Sequence, residues 1–122
     1  MKTARKILIA DDEFLIRWSI SQALSQDGYL VTAVGDGEEA LEAIMTQDFD
    51  FVITDLVMPG QDGWKVLEHI KEIYPRPKVV IITAHGNQET GSVAREKGAF
   101  GYIEKPDIID KIRDLLRRTH QG

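Results

Sequence analysis

Short apolar runs alternate with helical patterns along this chain, and this alternation restricts the fold more than any other sequence feature. Strand-like runs recur at roughly twenty-residue intervals, and a segment with helical spacing follows each of them. The run Ile7-Leu8-Ile9-Ala10 is apolar throughout, as expected of a strand that is buried on both faces. The alternation therefore predicts a doubly wound α/β fold, with a five-stranded parallel sheet and five helices.

Apolar spacing and turn residues give the individual elements. The predicted strands are 7–10, 29–34, 51–54, 79–82 and 100–104. The predicted helices are 13–25, 38–46, 64–73, 88–97 and 108–119. Asp36 with Glu39 is typical of a helix start, because an N-cap acid is followed three residues later by a glutamate. Gly91 costs about 1 kcal/mol relative to alanine inside the fourth helix, so we expect that helix to be the loosest.

Length and composition limit the classes of protein to which the chain can belong. Its 122 residues fit one domain, 1–122, and the absence of cysteine excludes disulfides and cysteine zinc sites. The net charge of −5 argues against direct binding to nucleic acid or to anionic membranes. No apolar run reaches the length of a signal peptide core or a membrane span. We therefore expect a cytoplasmic domain.

Four of the predicted strands end on residues that can handle a phosphoryl group. These are the pair Asp11 and Asp12, then Asp55, Thr83 and Lys105. In an open parallel α/β sheet the ligand crevice lies at the carboxyl ends of the strands, so these side chains should converge there. Two like charges about 4 Å apart cost roughly 4 kcal/mol at an effective dielectric of 20. A carboxylate cluster of this kind therefore predicts a hard cation, and Mg²⁺ fits oxygen ligands.

Asp55 is the best candidate for a phosphoryl acceptor. It stands alone on the central strand, whereas Asp11 and Asp12 are adjacent and better suited to holding a metal. An aspartate can act as the nucleophile in phosphoryl transfer, which asks the protein mainly for positioning and charge neutralisation. Each residue also has a structural explanation: Asp12 as a helix cap, Asp55 as a turn residue, Thr83 as a partner for a backbone group and Lys105 as a solvated charge. Four such coincidences at corresponding strand ends are less probable than one site.

The motifs at these strand ends resemble those of a known family. In chain order they are Asp11-Asp12, Thr54-Asp55-Leu56-Val57-Met58-Pro59-Gly60, Thr83-Ala84 and Lys105-Pro106. Together they closely resemble the receiver domain of two-component response regulators, over the whole chain. Residues 11–18 further look like receivers of the nitrogen-regulation type.

The resemblance implies a flavodoxin-like sheet of order 2-1-3-4-5 and a set of residue roles. Asp55 would be phosphorylated by a sensor histidine kinase, with Thr83 and Lys105 contacting the phosphoryl group. The ligands of Mg²⁺ would be Asp12, Asp55 and the backbone carbonyl of Val57, with Asp11 acting through water. Tyr102 matches the family's aromatic switch. The signal would leave through the fourth helix, fifth strand and fifth helix to an effector domain or protein, or to a second copy of the chain; the domain itself would not be an enzyme.

Three alternatives remain open at this point. A haloacid-dehalogenase-like phosphatase also uses a strand-end aspartate but needs a second one two residues later, where this chain has Val57. A flavodoxin-like cofactor binder needs a phosphate-binding loop after the first strand, where this chain has acids. A receiver-like interaction module that is not regulated by phosphorylation would not require the intact acids, Thr83 and Lys105.

Overall fold

The fold is given by a computed structural model that describes residues 5–58, 62–73, 75–84, 86 and 88–119. In these residues five parallel strands form one sheet in the order β2-β1-β3-β4-β5. They are β1 Lys6–Ala10, β2 Leu30–Val34, β3 Phe51–Asp55, β4 Lys78–Thr83 and β5 Gly101–Glu104. The predicted fold class and strand order are confirmed, and each strand overlaps its predicted range.

Five helices in the described ranges connect the strands and cover both faces of the sheet. They are α1 Phe14–Gln26, α2 Gly37–Thr46, α3 Gly63–Ile70, α4 Gln88–Glu96 and α5 Ile108–Thr119. One apolar core contains Ile20 of α1 and Ile112 of α5. The other contains Ala40 of α2, Val66 of α3 and Ala94 of α4. The sheet is therefore a middle layer between two separate cores.

Strand β1 shows why the sequence reads as continuously apolar. Ile7 and Ile9 pack into the core beneath α1 and α5, whereas Leu8 and Ala10 pack into the core on the opposite face. None of the four has any exposed surface. Because successive side chains of a strand point to opposite faces, a strand covered on both sides needs apolar residues at every position.

Helix α2 begins one residue before the predicted Glu38, and Asp36 caps it as the sequence predicts. The carboxylate of Asp36 accepts a hydrogen bond from the backbone N–H of Glu39 at 2.8 Å. The Oε1 atom of Glu39 accepts one in return from the backbone N–H of Gly35 at 3.1 Å. These bonds satisfy backbone donors that have no partner inside the helix.

The end of α3 differs from the prediction, which extends this helix to Ile73. The helix ends at Ile70, and the chain then tightens into a turn. The backbone N–H groups of Glu72 and Ile73 bond to carbonyls three residues back, those of His69 and Ile70. Such bonds are typical of a final turn that tightens before the chain changes direction. The helical spacing continues past Ile70 because Ile73 still packs against the core.

None of the described helices combines the length and the apolar character that a membrane span requires.

Candidate metal centre

The carboxyl ends of the strands bring together the side chains that the sequence pattern places there. Asp11 follows β1, Asp55 ends β3, Thr83 ends β4 and Lys105 follows β5. Each of these strands neighbours the next in the sheet. The backbone N–H of Lys105 donates to the carbonyl of Thr83 at 2.8 Å, which extends the pairing of β4 with β5 by one residue. The parallel sheet therefore gathers these residues at a single edge.

Three carboxylates surround the ammonium group of Lys105. Its Nζ atom lies 3.1 Å from Asp55 Oδ2, 3.2 Å from Asp11 Oδ2 and 3.3 Å from Glu13 Oε1. The side chain of Lys105 is only 10% exposed, and that of Asp11 is completely buried. The alternative in which Lys105 is a solvated surface charge is therefore wrong.

Burial and charge oppose each other at Lys105. Burial alone would lower the pKa of the ammonium, but the hydrogen bond to Asp55 and the negative charges of Asp11 and Asp55 outweigh it. Together they raise the pKa of Lys105 to about 12. The lysine is therefore positively charged at any physiological pH.

At the carboxyl group of Asp11, burial outweighs the interactions that favour its charged form. Burial raises its pKa above the ordinary value, and the nearby charge of Asp55 raises it further. The hydrogen bond from the backbone N–H of Glu13, at 2.8 Å, and the charge of Lys105 only partly offset this rise. One lysine therefore does not fully compensate the buried carboxylates, and the site is short of positive charge.

The carboxylates can hold a metal ion. One oxygen each from Asp11, Asp12 and Asp55 lies within 4.8 Å of the other two. Oxygen donors of this kind suit a hard divalent cation such as Mg²⁺, which needs only one or two carboxylates besides water and phosphate oxygens. A bound cation would also supply the positive charge that the site lacks.

Asp12 is the exposed member of this cluster. The residue that precedes α1 is Glu13, and its side chain forms no capping bond. Asp12 is exposed, and within the described part of the chain its side chain has no hydrogen bond or ion pair. The alternative in which Asp12 caps the first helix is therefore wrong.

Asp55 is held rigidly at the end of a strand whose residues are all buried. Its Oδ1 atom accepts a hydrogen bond from the backbone N–H of Val57 at 3.2 Å, so Asp55 does shape a turn, while Oδ2 contacts Lys105. A Cβ atom on Gly63 would lie 2.5 Å from the carbonyl oxygen of Asp55, so glycine lets α3 begin close to the site. Pro59 and Gly60, which belong to the same motif, lie outside the described residues.

Tyr102 packs between two glycines on the β5 side of the site. A Cβ atom on Gly91 of α4 would stand 3.2 Å from the Tyr102 ring, and one on Gly86 would collide with its hydroxyl. The same position on Gly86 lies 2.8 Å from Cγ2 of Thr83, so the hydroxyl end of the ring points toward Thr83. Gly91, predicted as a weak point in α4, thus makes room for this ring; the looseness of α4 stays a prediction.

Two residues of the site were not predicted from the sequence. Glu13 is the third acid in the row after β1, and this adjacency is the only sequence signal for it. Its contact with Lys105 depends on how the loop after β5 packs. Gly86 carries no chemical group, and nothing in the sequence distinguishes it from an ordinary turn glycine.

A parallel α/β sheet with an aspartate cluster and a buried lysine at its carboxyl edge defines an open α/β domain whose acidic cluster could hold a metal ion. The family model of the response regulator receiver domain matches residues 7–117. The chain therefore belongs to the response regulator receiver domain family, as its motifs suggest. The dehalogenase-like and flavodoxin-like alternatives are set aside by this membership.

Two relatives and one solved structure illustrate the range of the similarity. The DNA-binding transcriptional regulator NtrC of Escherichia coli is 37% identical over 113 residues, which are 93% of this chain and 24% of that protein. Sporulation initiation phosphotransferase F of Bacillus subtilis is 34% identical over 113 residues, 93% of this chain and 91% of that protein. A CheY-like receiver domain protein from Methanospirillum hungatei has a TM-score of 0.84 and 29% identity, covering 98% of this chain and 100% of that chain.

Proposed function

We propose that Asp55 accepts a phosphoryl group from a sensor histidine kinase in a Mg²⁺-dependent reaction. The observation that carries this proposal is the cluster of Asp11, Asp12 and Asp55 at the carboxyl edge of the sheet, in which Asp11 and Asp55 also contact the ammonium of Lys105. Membership of the receiver domain family supports the same roles for these residues. We propose residues 1–122 as a single receiver domain with a cytoplasmic location.

In the proposed transfer, the phosphorus–nitrogen bond of a kinase phosphohistidine breaks while a bond forms between phosphorus and a carboxylate oxygen of Asp55. The histidine nitrogen leaves with the electron pair of the broken bond, and the product is an acyl phosphate. Lys105 lies 3.1 Å from Asp55 Oδ2, close enough to bond a phosphoryl oxygen after the transfer. Thr83 ends the adjacent strand and supplies a hydroxyl donor.

We assign the cation to Asp12, Asp55 and the backbone carbonyl of Val57, with Asp11 acting through water. Mg²⁺ bound there supplies positive charge to the oxygens of the phosphoryl group. The pKa of the Asp11 carboxyl is raised, mainly by burial and further by the charge of Asp55, and this supports the assignment because a bound cation would stabilise the ionised carboxylates. Phosphoryl transfer requires such charge neutralisation more than it requires a protein acid or base.

The proposed signal leaves through Thr83 and Tyr102 to the surface formed by α4, β5 and α5. Tyr102 contacts α4 at Gly91, and its hydroxyl end lies toward Thr83, so one side chain connects the site to that surface. Moving a two-state equilibrium from 1:99 to 99:1 requires about 5.5 kcal/mol of differential stabilisation. We therefore expect phosphorylation to shift the population of two states rather than to switch it completely.

The kinase is proposed to bind an apolar patch on α1. Phe14, Leu15 and Trp18 are 63%, 73% and 53% exposed, and large exposed apolar patches mark surfaces for partners. A cleft of about 600 Å³ between α1 and the start of α5 adjoins Leu15 and is lined in part by Lys105. A partner seated on this patch would thus reach the proposed acceptor.

The effector is proposed to bind the surface formed by α4, β5 and α5. It would be a further domain, a separate protein or a second copy of this chain. Regulation of transcription is part of the proposal, because NtrC is a DNA-binding transcriptional regulator. The chain spans 24% of that relative, so the DNA-binding activity of NtrC is not inferred for this chain.

The acceptor is tested by incubating the chain with a small phosphodonor and Mg²⁺ and weighing the intact protein. We expect a phosphate-sized mass gain in the wild type and in Asp48→Asn, a control at an exposed aspartate, but none in Asp55→Asn. A gain that persists in Asp55→Asn would overturn the assignment. No gain in the wild type, with any donor, would favour the interaction module that is not regulated by phosphorylation.

The kinase surface is tested separately from the acceptor. Leu15→Ala should slow phosphorylation by a sensor histidine kinase that modifies the wild type, but not phosphorylation by the small donor. Met45→Ala is the matched control, because Met45 is 79% exposed and lies on α2, across the sheet. Equal rates for Leu15→Ala and Met45→Ala with the kinase would contradict the assignment.

A further inference from the structure

The loop that carries Asp12 is fixed through its backbone. The N–H of Asp11 donates to the carbonyl of Val34 at 3.2 Å, and the Asp11 carboxylate accepts from the N–H of Glu13 at 2.8 Å. The carbonyl of Asp11 accepts a hydrogen bond from Nη1 of Arg17 at 2.7 Å. This carbonyl belongs to the peptide group that joins Asp11 to Asp12. Holding it restrains rotation of the peptide plane and so restrains the direction in which the Cα–Cβ bond of Asp12 leaves the backbone.

Arg17 is itself held by its surroundings. Its guanidinium lies over the ring of Phe14, 5.5 Å from the ring centroid, and the residue is half-buried. On the other side the group passes across Gly35, where a Cβ atom would be only 3.1 Å from Nη1. Gly35 in turn is held by Glu39, which accepts its backbone N–H at 3.1 Å. The guanidinium therefore has one well-defined position between α1 and the turn after β2.

We propose that Arg17 is a positioning residue for the cation site. It touches no carboxylate of the cluster, and it acts by holding the Asp11–Asp12 peptide so that Asp12 is presented to the metal ion. The inference depends on the cation site of the proposed function. Residues that orient metal ligands without touching the metal typically change affinity 10–100-fold when they are removed.

The sign of the change in cation affinity on removing Arg17 distinguishes a positioning role from a purely electrostatic one. Removing a positive charge close to an acidic cluster should strengthen cation binding if only Coulomb forces act. Removing a positioning group should weaken it, because Asp12 loses its fixed direction. A weaker affinity in Arg17→Met is therefore opposite in sign to the charge effect.

The test is a titration of the purified chain with Mn²⁺, followed through the electron paramagnetic resonance signal of the free ion. We expect Arg17→Met to bind Mn²⁺ about tenfold more weakly than the wild type. Arg17→Lys should recover part of the loss, since lysine can donate to the carbonyl but lacks the planar group that fits against Gly35. Unchanged or tighter binding by Arg17→Met would overturn the proposal.

Two further variants keep the test decisive if Arg17→Met folds poorly. Gly35→Ala leaves every charge in place and should still weaken Mn²⁺ binding, though less than Arg17→Met does, because a Cβ 3.1 Å from Nη1 requires the guanidinium to shift by a few tenths of an ångström. Arg113→Met is the matched control, since Arg113 is also half-buried and bonds a backbone carbonyl, that of Ala23 at 3.3 Å, away from the site. Wild-type affinity in Gly35→Ala, or equal losses in Arg17→Met and Arg113→Met, would contradict a positioning role.

Asp12→Asn separates failure of this inference from failure of the cation site. If Asp12→Asn binds Mn²⁺ as tightly as the wild type, the proposed cation site is wrong and the role of Arg17 falls with it. If Asp12→Asn binds weakly while Arg17→Met binds normally, the site stands and the positioning role is wrong.

Discussion

The Nζ atom of Lys105 lies 3.2 Å from Oδ2 of Asp11, an oxygen without a hydrogen-bond partner among the described residues. The contact is an ion pair between a completely buried carboxylate and a lysine that two further carboxylates share. The fold therefore needs this lysine more than it needs Asp11, and the two residues should have opposite effects on stability.

Asp11→Asn should stabilise the protein without metal by a few degrees in Tm, because it removes a carboxylate whose pKa burial has raised. Thermal unfolding in EDTA measures this effect, with Asp48→Asn as an exposed control. The folded protein binds the Asp11 proton more tightly than the unfolded chain does, so wild-type stability relative to the variant falls as pH rises from 3.8 through the raised pKa. A variant less stable than the wild type at neutral pH in EDTA would contradict this account.

Lys105→Met should destabilise the protein in EDTA by about 3 kcal/mol, because it leaves buried carboxylates without their cation. Urea unfolding with and without saturating Mg²⁺ measures the loss, and Mg²⁺ should recover part of it. Lys65→Met is the control, since its only ion pair with the described residues is an exposed one with Glu68 at 3.9 Å. Equal, small losses in both variants would show that Lys105 does not compensate the cluster.

The acidic cluster was predictable because the sheet is parallel and each residue with a reactive or charged side chain directly follows an apolar run. Asp55 and Lys105 met as expected although many residues separate them. The contact of Glu13 with Lys105 was not predictable, because a long exposed side chain has many rotamers and only the packed loop selects one. The position of the Arg17 guanidinium was not predictable either, because it depends on the space that Gly35, having no side chain, leaves open.

Gly91 shows that a local rule covers only part of the energetics when the tertiary contact is unknown. Within the helix alone it lowers stability relative to alanine, and this gave the expectation of a loose α4. The structure shows a second contribution to stability, a tertiary contact, because the ring of Tyr102 occupies the space beside Gly91. The sequence contains both residues but does not show that they touch.

Gly91→Ala should therefore have an effect that depends on Tyr102. In the wild type the gain in helix propensity is opposed by a Cβ 3.2 Å from the ring, so we expect little change in stability. In Tyr102→Ala the same substitution should stabilise the protein by about 1 kcal/mol. A double-mutant cycle by urea unfolding measures the difference. Equal effects in both backgrounds would mean that the ring does not press on α4.

Val57→Asn should shorten the lifetime of the proposed phosphoryl group. Val57 is 66% exposed, two residues after Asp55, and its side chain cannot hydrogen-bond an attacking water as an amide can. Decay of the phosphorylated protein, followed by intact mass, measures the rate, with Val57→Ala as the apolar control. The attribution is wrong if the asparagine and alanine variants decay at the same rate. His85 could also assist water, but it lies outside the described residues.

The cleft between α1 and α5 and the cleft between α4 and β5 have no lining residue in common. In the proposed scheme, a kinase seated in the first cleft and an effector seated in the second would contact different side chains, although the first cleft also includes Ile108, Ile109 and Asp110 of α5. Occupancy of the proposed output surface would then depend on how long the acyl phosphate of Asp55 survives. The duration of the response would in that case follow from the receiver's own chemistry.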